Sequence, residues 1–336
     1  MIAAQKELKT ETKLNGRENL FKIFRHEMPE YLPKFSDTVW LRLPGDLSLI
    51  PGEGFDSWGV RWVAQDGAGQ MVDETYPYVL TDLADWQDQV KIPDPWKLMD
   101  WEAEAAKECS RWNRETQMGV LILFEGHFER LHDLMGFEDT LCSFAFEDDE
   151  DDLRDLFAAI TDFKIEQMKI AKKYYDPDMI CYHDDWGTNN TMFFRPEKWH
   201  SIIKDEFKRL VSACHDLGML FELHSCGHIQ EVVRSCVEEC GIDCIQTLMY
   251  PQNDIEMIKR EVGDKLVIRG GYDGRSLLRP DVSEDEKRRL IRYSLSVLVP
   301  GGNHIPYFYA FGSEAASSEA FFEQEVSAWE AQNGSY

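Results

Sequence analysis

The fold is decided by residues 196–247, which read PEKWHSIIKDEFKRLVSACHDLGMLFELHSCGHIQEVVRSCVEECGIDCIQT. Two amphipathic stretches each precede a short apolar run, in the order 196–217, 219–223, 229–240 and 244–247. Pro196 opens the first stretch at a position where its missing N–H is not needed, and Gly218 stands where that helix is expected to end. This order predicts helices that alternate with parallel strands joined by right-handed crossovers.

The same alternation extends in both directions from this segment. Further apolar runs bounded by charged residues lie at 120–124, 179–182 and 266–268. Further amphipathic stretches lie at 152–173, 254–262 and 283–298. Ser283 and Glu286 form a capping box at the start of the last one. The number of repeats predicts an α/β protein built as a (β/α)8 TIM barrel. A doubly wound open sheet is the alternative, which is weakened because the chain has no glycine-rich G-x-G-x-x-G turn.

Residues 44–95 differ from this pattern. They are rich in glycine, tryptophan and aspartate, and the short stretch 59–64 alternates as a strand does. Asp66-Gly67 is typical of a hairpin turn between two strands. We therefore predict a polar lead-in at residues 1–18 and a single barrel domain over residues 19–336. Residues 44–95 are predicted to be a small antiparallel insertion over the barrel mouth.

Composition excludes several classes of partner. The chain of 336 residues carries 62 acidic side chains against 36 lysines and arginines, which gives a formal net charge of −26. Binding to nucleic acid or to an anionic membrane surface requires a basic face, so the charge argues against both. The N-terminal stretch lacks the apolar centre of a signal peptide, and the eight cysteines form no paired framework. We expect a cytoplasmic protein with reduced thiols.

The first candidate site follows the apolar run 219–223, in the sequence Glu222-Leu223-His224-Ser225-Cys226. Active sites of (β/α)8 barrels lie at the carboxyl ends of the strands, and alternate residues of a strand share one side. Glu222, His224 and Cys226 are therefore expected to point together towards the barrel axis. Imidazole and thiolate suit Zn²⁺. The alternative is a buried histidine that bonds to the backbone beside a buried cysteine.

The second candidate site follows the run 179–182, in the sequence His183-Asp184-Asp185-Trp186. Adjacent residues of an extended chain point to opposite sides, so at most one of the two aspartates is expected to face the pocket. An aspartate there could orient a ligand histidine or act as an acid or base. The alternative is an aspartate that caps a helix. Trp186 and Asn189 could cover a planar substrate.

Polar residues also stand at three further strand ends. Glu125 follows the run 120–124 and Asp273 follows the run 266–268. Each is either a substrate contact or a salt-bridged carboxylate at the rim. His304 ends the segment Pro-Gly-Gly-Asn-His at 300–304, where the eighth strand is expected to finish. It could reach the same mouth as His224.

Together these motifs resemble the uroporphyrinogen decarboxylase superfamily. The resemblance rests on His-Ser-Cys-Gly-His at 224–228, Asp-Asp-Trp-Gly at 184–187 and the segment ending in His304, and it covers about residues 19–325. Asp-Ser-Trp-Gly-Val at 56–60 and Ile-Pro-Asp-Pro at 92–95 are similar to the methyltransferase branch. The resemblance implies either a zinc-dependent methyltransferase that works with a corrinoid protein or a cofactor-free decarboxylase.

The methyltransferase branch implies a zinc ion held by His224 and Cys226 and by a distant third ligand, often a cysteine. No cysteine stands at 302–304, so we expect Glu222 or His304 to substitute, with Asp184 as a more remote option. The expected catalytic residues are Asp184, Glu125 and His304. The residues expected to contact substrate are Trp58, Asp185, Trp186, Asn189, Tyr272 and Asp273. Of these, Trp58, Trp186 and Tyr272 are expected to form an aromatic mouth suited to a methoxylated aromatic or a methylamine-like donor.

The resulting hypothesis is methyl transfer between a small methylated donor and a corrinoid (cobalamin) carrier protein, assisted by Zn²⁺. A metal-free decarboxylase or lyase that uses Asp184 and His304 is one alternative. Uroporphyrinogen itself is a poor candidate substrate, because residues 25–33 contain a single arginine and the chain is strongly acidic. A binding protein that keeps the barrel without catalysis is the other alternative.

Overall fold

The centre of the protein is a curled sheet of parallel strands, seen in a computed structural model that describes residues 14–44, 53–65, 69–310 and 315–334. The strands of the protein are β1 (Thr38–Arg42), β2 (Gly54–Phe55), β3 (Arg61–Gln65), β4 (Gly69–Val72), β5 (Met118–Leu123), β6 (Met179–His183), β7 (Leu220–His224), β8 (Cys244–Thr247), β9 (Val267–Gly270) and β10 (His304–Ile305). Seven of them form the central sheet in the order β1-β5-β6-β7-β8-β9-β10. Every neighbouring pair in this sheet is parallel.

Helices connect the strands along the chain. They are α1 (Gly16–Phe24), α2 (Trp86–Gln89), α3 (Trp101–Cys109), α4 (His127–Met135), α5 (Phe137–Ala145), α6 (Glu150–Ile170), α7 (Pro196–Lys198), α8 (Lys204–Asp216), α9 (Gln230–Ser235), α10 (Ile255–Val262), α11 (Gly274–Leu278), α12 (Glu284–Leu298) and α13 (Ala315–Asn333). Turns of π-helix extend α6, join α7 to α8 and extend α9, at Ala171–Tyr175, Trp199–Ile203 and Cys236–Cys240. No described helix has the length and apolarity that crossing a lipid bilayer requires.

The predicted alternation of strand and helix is confirmed from β5 onwards. The five predicted apolar runs coincide with β5 to β9 to within two residues. Gly218 follows α8 with φ of 74°, a left-handed conformation that glycine adopts readily. Ser283 caps α12, since its side chain accepts the backbone N–H of Glu286 at 3.3 Å. The strands follow chain order without a reversal, which rules out the doubly wound alternative.

The expectation of a closed eight-stranded barrel is corrected by the sheet. Among the described residues the parallel sheet has seven strands, and no ladder joins β1 to β10. The strand β10 has only two residues, and Pro306 directly after it has no N–H to donate. Aromatic rings pack at the position where a ladder between β1 and β10 would close the barrel. The ring centroid of Tyr307 is 5.4 Å from that of Trp40 and 6.0 Å from that of Phe35. The sheet therefore curls like a TIM barrel and stays open.

Alternate strand residues form two separate apolar layers. One layer lies on the enclosed side of the sheet and includes Val120, Met179, Cys181, Cys244, Val267 and Ile305. The other layer packs the intervening strand residues, such as Leu121, Tyr182 and Leu223, against the helices. Burial of both faces is typical of parallel strands with helical crossovers. The side chains at the carboxyl ends of the strands lie above the enclosed layer.

The insertion contains the predicted antiparallel strands, in a sheet with the order β2-β3-β4. The predicted turn at Asp66-Gly67 lies outside the described residues. Asp56 fixes this sheet to the barrel, because its Oδ2 is 2.8 Å from Nη1 of Arg130 and both side chains are fully buried. Trp58 packs edge-on against Phe163 of α6, with ring centroids 5.0 Å apart. Because Arg130 belongs to α4, which begins just past β5, the insertion is anchored on the side where the strands end.

Candidate metal centre

Strand register brings two histidines side by side at the carboxyl ends of β6 and β7. In the ladder, His183 lies opposite His224, and His224 lies opposite Gln246 of β8. Side chains of opposed residues project to the same side of a sheet. The two imidazole rings accordingly stack, with centroids 4.0 Å apart and an interplanar angle of 14°.

Both imidazoles are oriented through their Nδ1 atoms. The Nδ1 of His183 lies 2.9 and 3.0 Å from the two carboxylate oxygens of Glu129 in α4. The Nδ1 of His224 bonds to Oε1 of Gln246. An oxygen acceptor at Nδ1 keeps a proton on that nitrogen, which leaves Nε2 as the atom that can bind a metal.

A thiol and a carboxylate lie next to these rings. The Sγ of Cys226 is 3.4 Å from Nε2 of His224, and Oδ1 of Asp185 is 3.7 Å from the same nitrogen. The backbone N–H of Cys226 donates to Oδ1 of Asp185 at 2.6 Å. One potential ligand atom from each of His183, Asp185 and His224 lies within 4.8 Å of the others. We call His183, Asp185, His224 and Cys226 the metal cluster.

The loops after β6 and β7 approach closely because a glycine follows Cys226. Gly227 has φ of 80°, and a Cβ built on it would lie 2.1 Å from the carbonyl oxygen of Gly187. The backbone N–H of His228 donates to the carbonyl of Thr188 at 2.8 Å. These backbone contacts hold Asp185 and Cys226, which lie on different loops, at a fixed separation.

Burial and charge act in opposite directions on these groups. Burial disfavours the cationic form of His183, but the carboxylates of Glu129 and Asp185 outweigh it and raise the pKa of His183 to about 10. Burial also disfavours the anionic form of Glu129, but the positive charge of His183 outweighs it and lowers the pKa of Glu129 to about 2. Burial lowers the pKa of His224 and raises the pKa of Cys226.

The metal cluster fits a divalent transition-metal ion. Two imidazoles, a thiol and a carboxylate are the donor types of zinc sites. The carboxylates of Asp185 and Glu129 favour a cation here, and a metal ion would replace the protons on Cys226 and His183. The structure brings together the predicted pair His224 and Cys226, and it adds His183 and Asp185 where the sequence lacks a third cysteine.

Glu222, expected as a ligand, is committed to a different partner. Its Oε2 lies 2.6 Å from Nε of Arg269 in β9 and 3.0 Å from Sγ of Cys244. Glu222 and Arg269 are both fully buried. Residues two positions apart in a strand are separated by about 7 Å, so Glu222 lies deeper in the barrel than His224. Its carboxylate neutralises Arg269, so the geometry does not favour Glu222 as a metal ligand and that role stays a prediction.

Asp184, expected to be catalytic, caps a helix. Its Oδ1 accepts the backbone N–H groups of Phe128 and Glu129 at 3.1 and 3.0 Å, at the start of α4. The side chain is fully buried, and burial raises the pKa of Asp184 to about 7. Of the two adjacent aspartates, Asp185 therefore joins the metal cluster and Asp184 stabilises α4. The catalytic role of Asp184 stays a prediction.

His304, expected at the same mouth as His224, lies in the layer between the sheet and the outer helices. Its Nδ1 is 2.9 Å from the carbonyl oxygen of Ile268, and its Nε2 is 2.9 Å from the hydroxyl of Tyr272. The ring is fully buried, and burial lowers the pKa of His304 to about 3. Both ring nitrogens are thus engaged in hydrogen bonds within this layer. The catalytic or ligand role of His304 stays a prediction that this geometry does not favour.

Glu125 belongs to a second acidic group beside the metal cluster. It is buried at the end of β5 and has φ of 58°. Burial and the neighbouring Asp133, to which it is hydrogen-bonded, raise the pKa of Glu125 well above its usual range. Burial also raises the pKa of Asp133 to about 6. Its surroundings therefore favour the protonated form of Glu125, and its catalytic role stays a prediction.

The three residues of the expected aromatic mouth are buried. Trp58, Trp186 and Tyr272 are 2%, 0% and 4% exposed, and their contact with substrate stays a prediction. Trp186 packs edge-on against Trp199 and Phe207, with ring centroids 5.7 and 5.5 Å away. A large aromatic side chain next to a strand end can either fill the core under the helices or line a pocket. The sequence pattern does not distinguish a core position from a pocket position.

Asn189 and Asp273 lie together at an open cavity of about 320 Å³ on the side where the strands end. The carboxylate of Asp273 also caps α11, since it accepts the backbone N–H and the hydroxyl of Ser276 at 3.0 and 2.7 Å. Their contact with substrate stays a prediction.

Sequence reasoning missed three residues of this region, which are His183, Glu129 and Gln246. His183 had a readable signal, because it stands two residues after Cys181 at the end of a predicted strand and directly before the two aspartates. Glu129 and Gln246 had none, because their roles depend on helix packing and on strand register.

No known protein-family model matches the sequence, and no curated protein matches it. Among solved structures, the fold is similar to that of a methyltransferase from Methanosarcina mazei, with a TM-score of 0.68 at 12% sequence identity over 94% of this chain and 99% of that chain. A sugar phosphate isomerase/epimerase from Parabacteroides distasonis is less similar, with a TM-score of 0.33 at 10% identity over 74% of this chain and 82% of that one. The first similarity shows a shared barrel-like α/β fold.

Proposed function

We propose that the protein is a zinc-dependent methyltransferase that moves a methyl group between a small methylated compound and a corrinoid carrier protein. The observation that carries this proposal is the metal cluster, in which His224 and Cys226 lie 3.4 Å apart at the carboxyl end of β7. The likeness in fold to the methyltransferase from Methanosarcina mazei supports it. So does the resemblance of the sequence motifs to the methyltransferase branch of the uroporphyrinogen decarboxylase superfamily.

Each residue of the metal cluster has a role in this proposal. A bound zinc ion supplies Lewis acidity, which favours a thiolate or polarises the heteroatom that carries the methyl group. Glu129 and Gln246 would hold the Nδ1 protons of His183 and His224 and leave both Nε2 atoms available to bind the ion. Asp185 binds the backbone N–H of Cys226 and places its own carboxylate beside the site.

The methyl donor is proposed only as a small methylated compound. An exposed aromatic mouth would favour a methoxylated aromatic donor, but Trp58, Trp186 and Tyr272 are buried. The metal-free decarboxylase is not favoured, because its two polar groups, Asp184 and His304, are both engaged in structural hydrogen bonds.

Metal content tests the proposal first. Purified protein is expected to hold about one zinc ion per chain by elemental analysis, and Cys226→Ala and His224→Ala are expected to lose it. Cys142→Ala is the matched control, because Cys142 is an exposed cysteine on α5 and should not affect zinc content. Wild-type protein that binds no zinc, or a Cys226→Ala variant that keeps it fully, contradicts the proposed site.

Methyl transfer is the second test. The zinc-loaded protein is mixed with reduced cobalamin and a panel of methylamines, methyl thiols and methoxy compounds, and methylcobalamin is followed by its absorbance. We expect formation with at least one donor and none with the Cys226→Ala variant. Zinc binding without transfer across the panel favours a binding protein over an enzyme.

A further inference from the structure

Thr247, the last residue of β8, has a backbone conformation that is rare for its type. Its φ is 75°, in the left-handed region, where the branched Cβ of threonine clashes with the backbone. The neighbouring strand holds it there, because the carbonyl oxygen of Thr247 accepts the backbone N–H of Gly271 at 3.1 Å. Strained residues of this kind persist where the surroundings impose them, and they concentrate at functional sites.

The side chain of Thr247 reaches the His-x-Cys segment of the metal cluster. Its hydroxyl donates to the carbonyl oxygen of Ser225, the residue between His224 and Cys226, at 3.1 Å. The carbonyl oxygen of the preceding residue, Gln246, lies 2.5 Å from the same hydroxyl. A hydroxyl has a single hydrogen to donate, so the bond to Ser225 forms when the hydroxyl turns away from Gln246. That bond joins the end of β8 to the segment between His224 and Cys226.

Gln246, the residue before Thr247, contacts His224, the other member of the pair His224 and Cys226. Gln246 bonds to Nδ1 of His224. The end of β8 thus contacts His224 through Gln246 and the Ser225–Cys226 segment through Thr247. In a regular strand these two neighbours would point to opposite faces. The left-handed turn at Thr247 is what lets both side chains serve the same site.

We propose that Thr247 is a positioning residue whose strained backbone aims its hydroxyl at the Ser225–Cys226 segment and so fixes the Cys226 sulfur for metal binding. This inference rests on the proposed function, since it assumes that Cys226 is a metal ligand. Thr247 does not itself touch the reacting atoms. Residues that orient metal ligands typically change metal affinity by about 10-fold to 100-fold when they are removed.

The test separates strain from positioning with three variants. Thr247→Gly removes the hydroxyl and relieves the strain, Thr247→Val removes the hydroxyl and keeps the strain, and Thr247→Ser keeps the hydroxyl. Zinc affinity is measured by competition with a chromogenic chelator, and the urea midpoint is measured on protein stripped of metal with EDTA. Both readouts are independent of enzymatic activity.

We expect zinc affinity to fall at least about tenfold in Thr247→Gly and Thr247→Val and to stay close to wild type in Thr247→Ser. The urea midpoint of metal-free Thr247→Gly should equal or exceed that of wild type, because the backbone strain is gone. Wild-type zinc affinity in Thr247→Gly, or a lower urea midpoint in that variant, overturns the inference and leaves the proposed function standing. Wild-type protein that binds no zinc overturns both.

Discussion

Replacing Arg269 by methionine should destabilise the protein strongly, although methionine is apolar and similar in length. The Nε of Arg269 lies 2.6 Å from Oε2 of Glu222, and the two side chains are 1% and 0% exposed. Removing the guanidinium leaves a buried carboxylate with the thiols of Cys244, at 3.0 Å, and of Cys181 beside it. A thiol is a weak donor, so the charge of Glu222 is left almost uncompensated.

The expected loss follows from the contacts of Arg269. Breaking a buried ion pair by removing one partner costs about 3–5 kcal/mol. Arg269 also donates from Nη1 to the hydroxyl of Thr38 at 3.3 Å, and its guanidinium lies 5.2 Å from the ring centroid of Trp40. Each of these contributes about 0.5–1.5 kcal/mol. We therefore expect Arg269→Met to lose at least about 4 kcal/mol of unfolding free energy, the sum of the lower ends of these ranges.

Urea unfolding of metal-free protein at pH 7 measures this loss. The double variant Glu222→Leu/Arg269→Met removes both charges and should regain most of the stability, because replacing a whole buried pair by apolar residues is often neutral. Arg279→Met, which breaks the exposed pair with Asp281, is the matched control and should change stability little. The reasoning is refuted if Arg269→Met stays within about 1 kcal/mol of wild type, far below the expected range, or if the double variant is no more stable than the single one.

Three further predictions concern other parts of the chain. The hydrogen bond of His215 to Asp243, at 2.8 Å, raises the pKa of His215. The stabilisation by this His215–Asp243 pair should therefore be complete below pH about 6.5. It should disappear as the pH rises through the raised pKa of His215 and the imidazole loses its charge. The stability difference between wild type and His215→Gln in urea should shrink accordingly, and a difference that is constant from pH 6 to pH 9 contradicts this. Asp56→Ala should lose about 3–5 kcal/mol of unfolding free energy and should make residues 53–72 sensitive to limited proteolysis. The reason is that Asp56 pairs with buried Arg130 at 2.8 Å and accepts the backbone N–H groups of Trp58 and Val60. Unchanged cleavage relative to wild type argues against this anchor. Gly218→Ala should cost about 1–2 kcal/mol for its left-handed backbone alone, since nothing lies within 4 Å of the added Cβ. Gly227→Ala should lose more unfolding free energy than Gly218→Ala and should lose zinc binding, because its Cβ would lie 2.1 Å from the Gly187 carbonyl oxygen. Equal losses of unfolding free energy in the two variants contradict this prediction.

The strands and helices could be predicted from the sequence because their signals are local. Apolar runs of four to six residues gave β5 to β9, and Gly218 and Ser283 marked helix ends. The strand β1, Thr38–Arg42, was missed because its TVWLR sequence does not form a continuous apolar run. The number of strands and the open sheet could not be predicted. They depend on the two-residue length of β10 and on the rings of Tyr307, Trp40 and Phe35.

The positions of the candidate site residues could be predicted only where two of them share one segment. His224 and Cys226 follow from the alternation of a strand, and so does the separation of Asp184 from Asp185. Glu222 shares that alternation, yet it sits deeper and meets Arg269, which is 47 residues away in the chain. Periodicity gives the face of a strand on which a side chain lies, but depth and partners come from the packing of distant segments.

Asp184 and Asp185 bind different parts of the backbone, and this limits insertions and deletions in this segment. One carboxylate holds the first turn of α4, and the next one binds the backbone of Cys226. Inserting or deleting one residue between His183 and Asp185 would exchange their directions and break both connections at once. Chain length in this segment should therefore be invariant among homologues, even where its residues differ. The exposed turn at 189–191 should tolerate insertions.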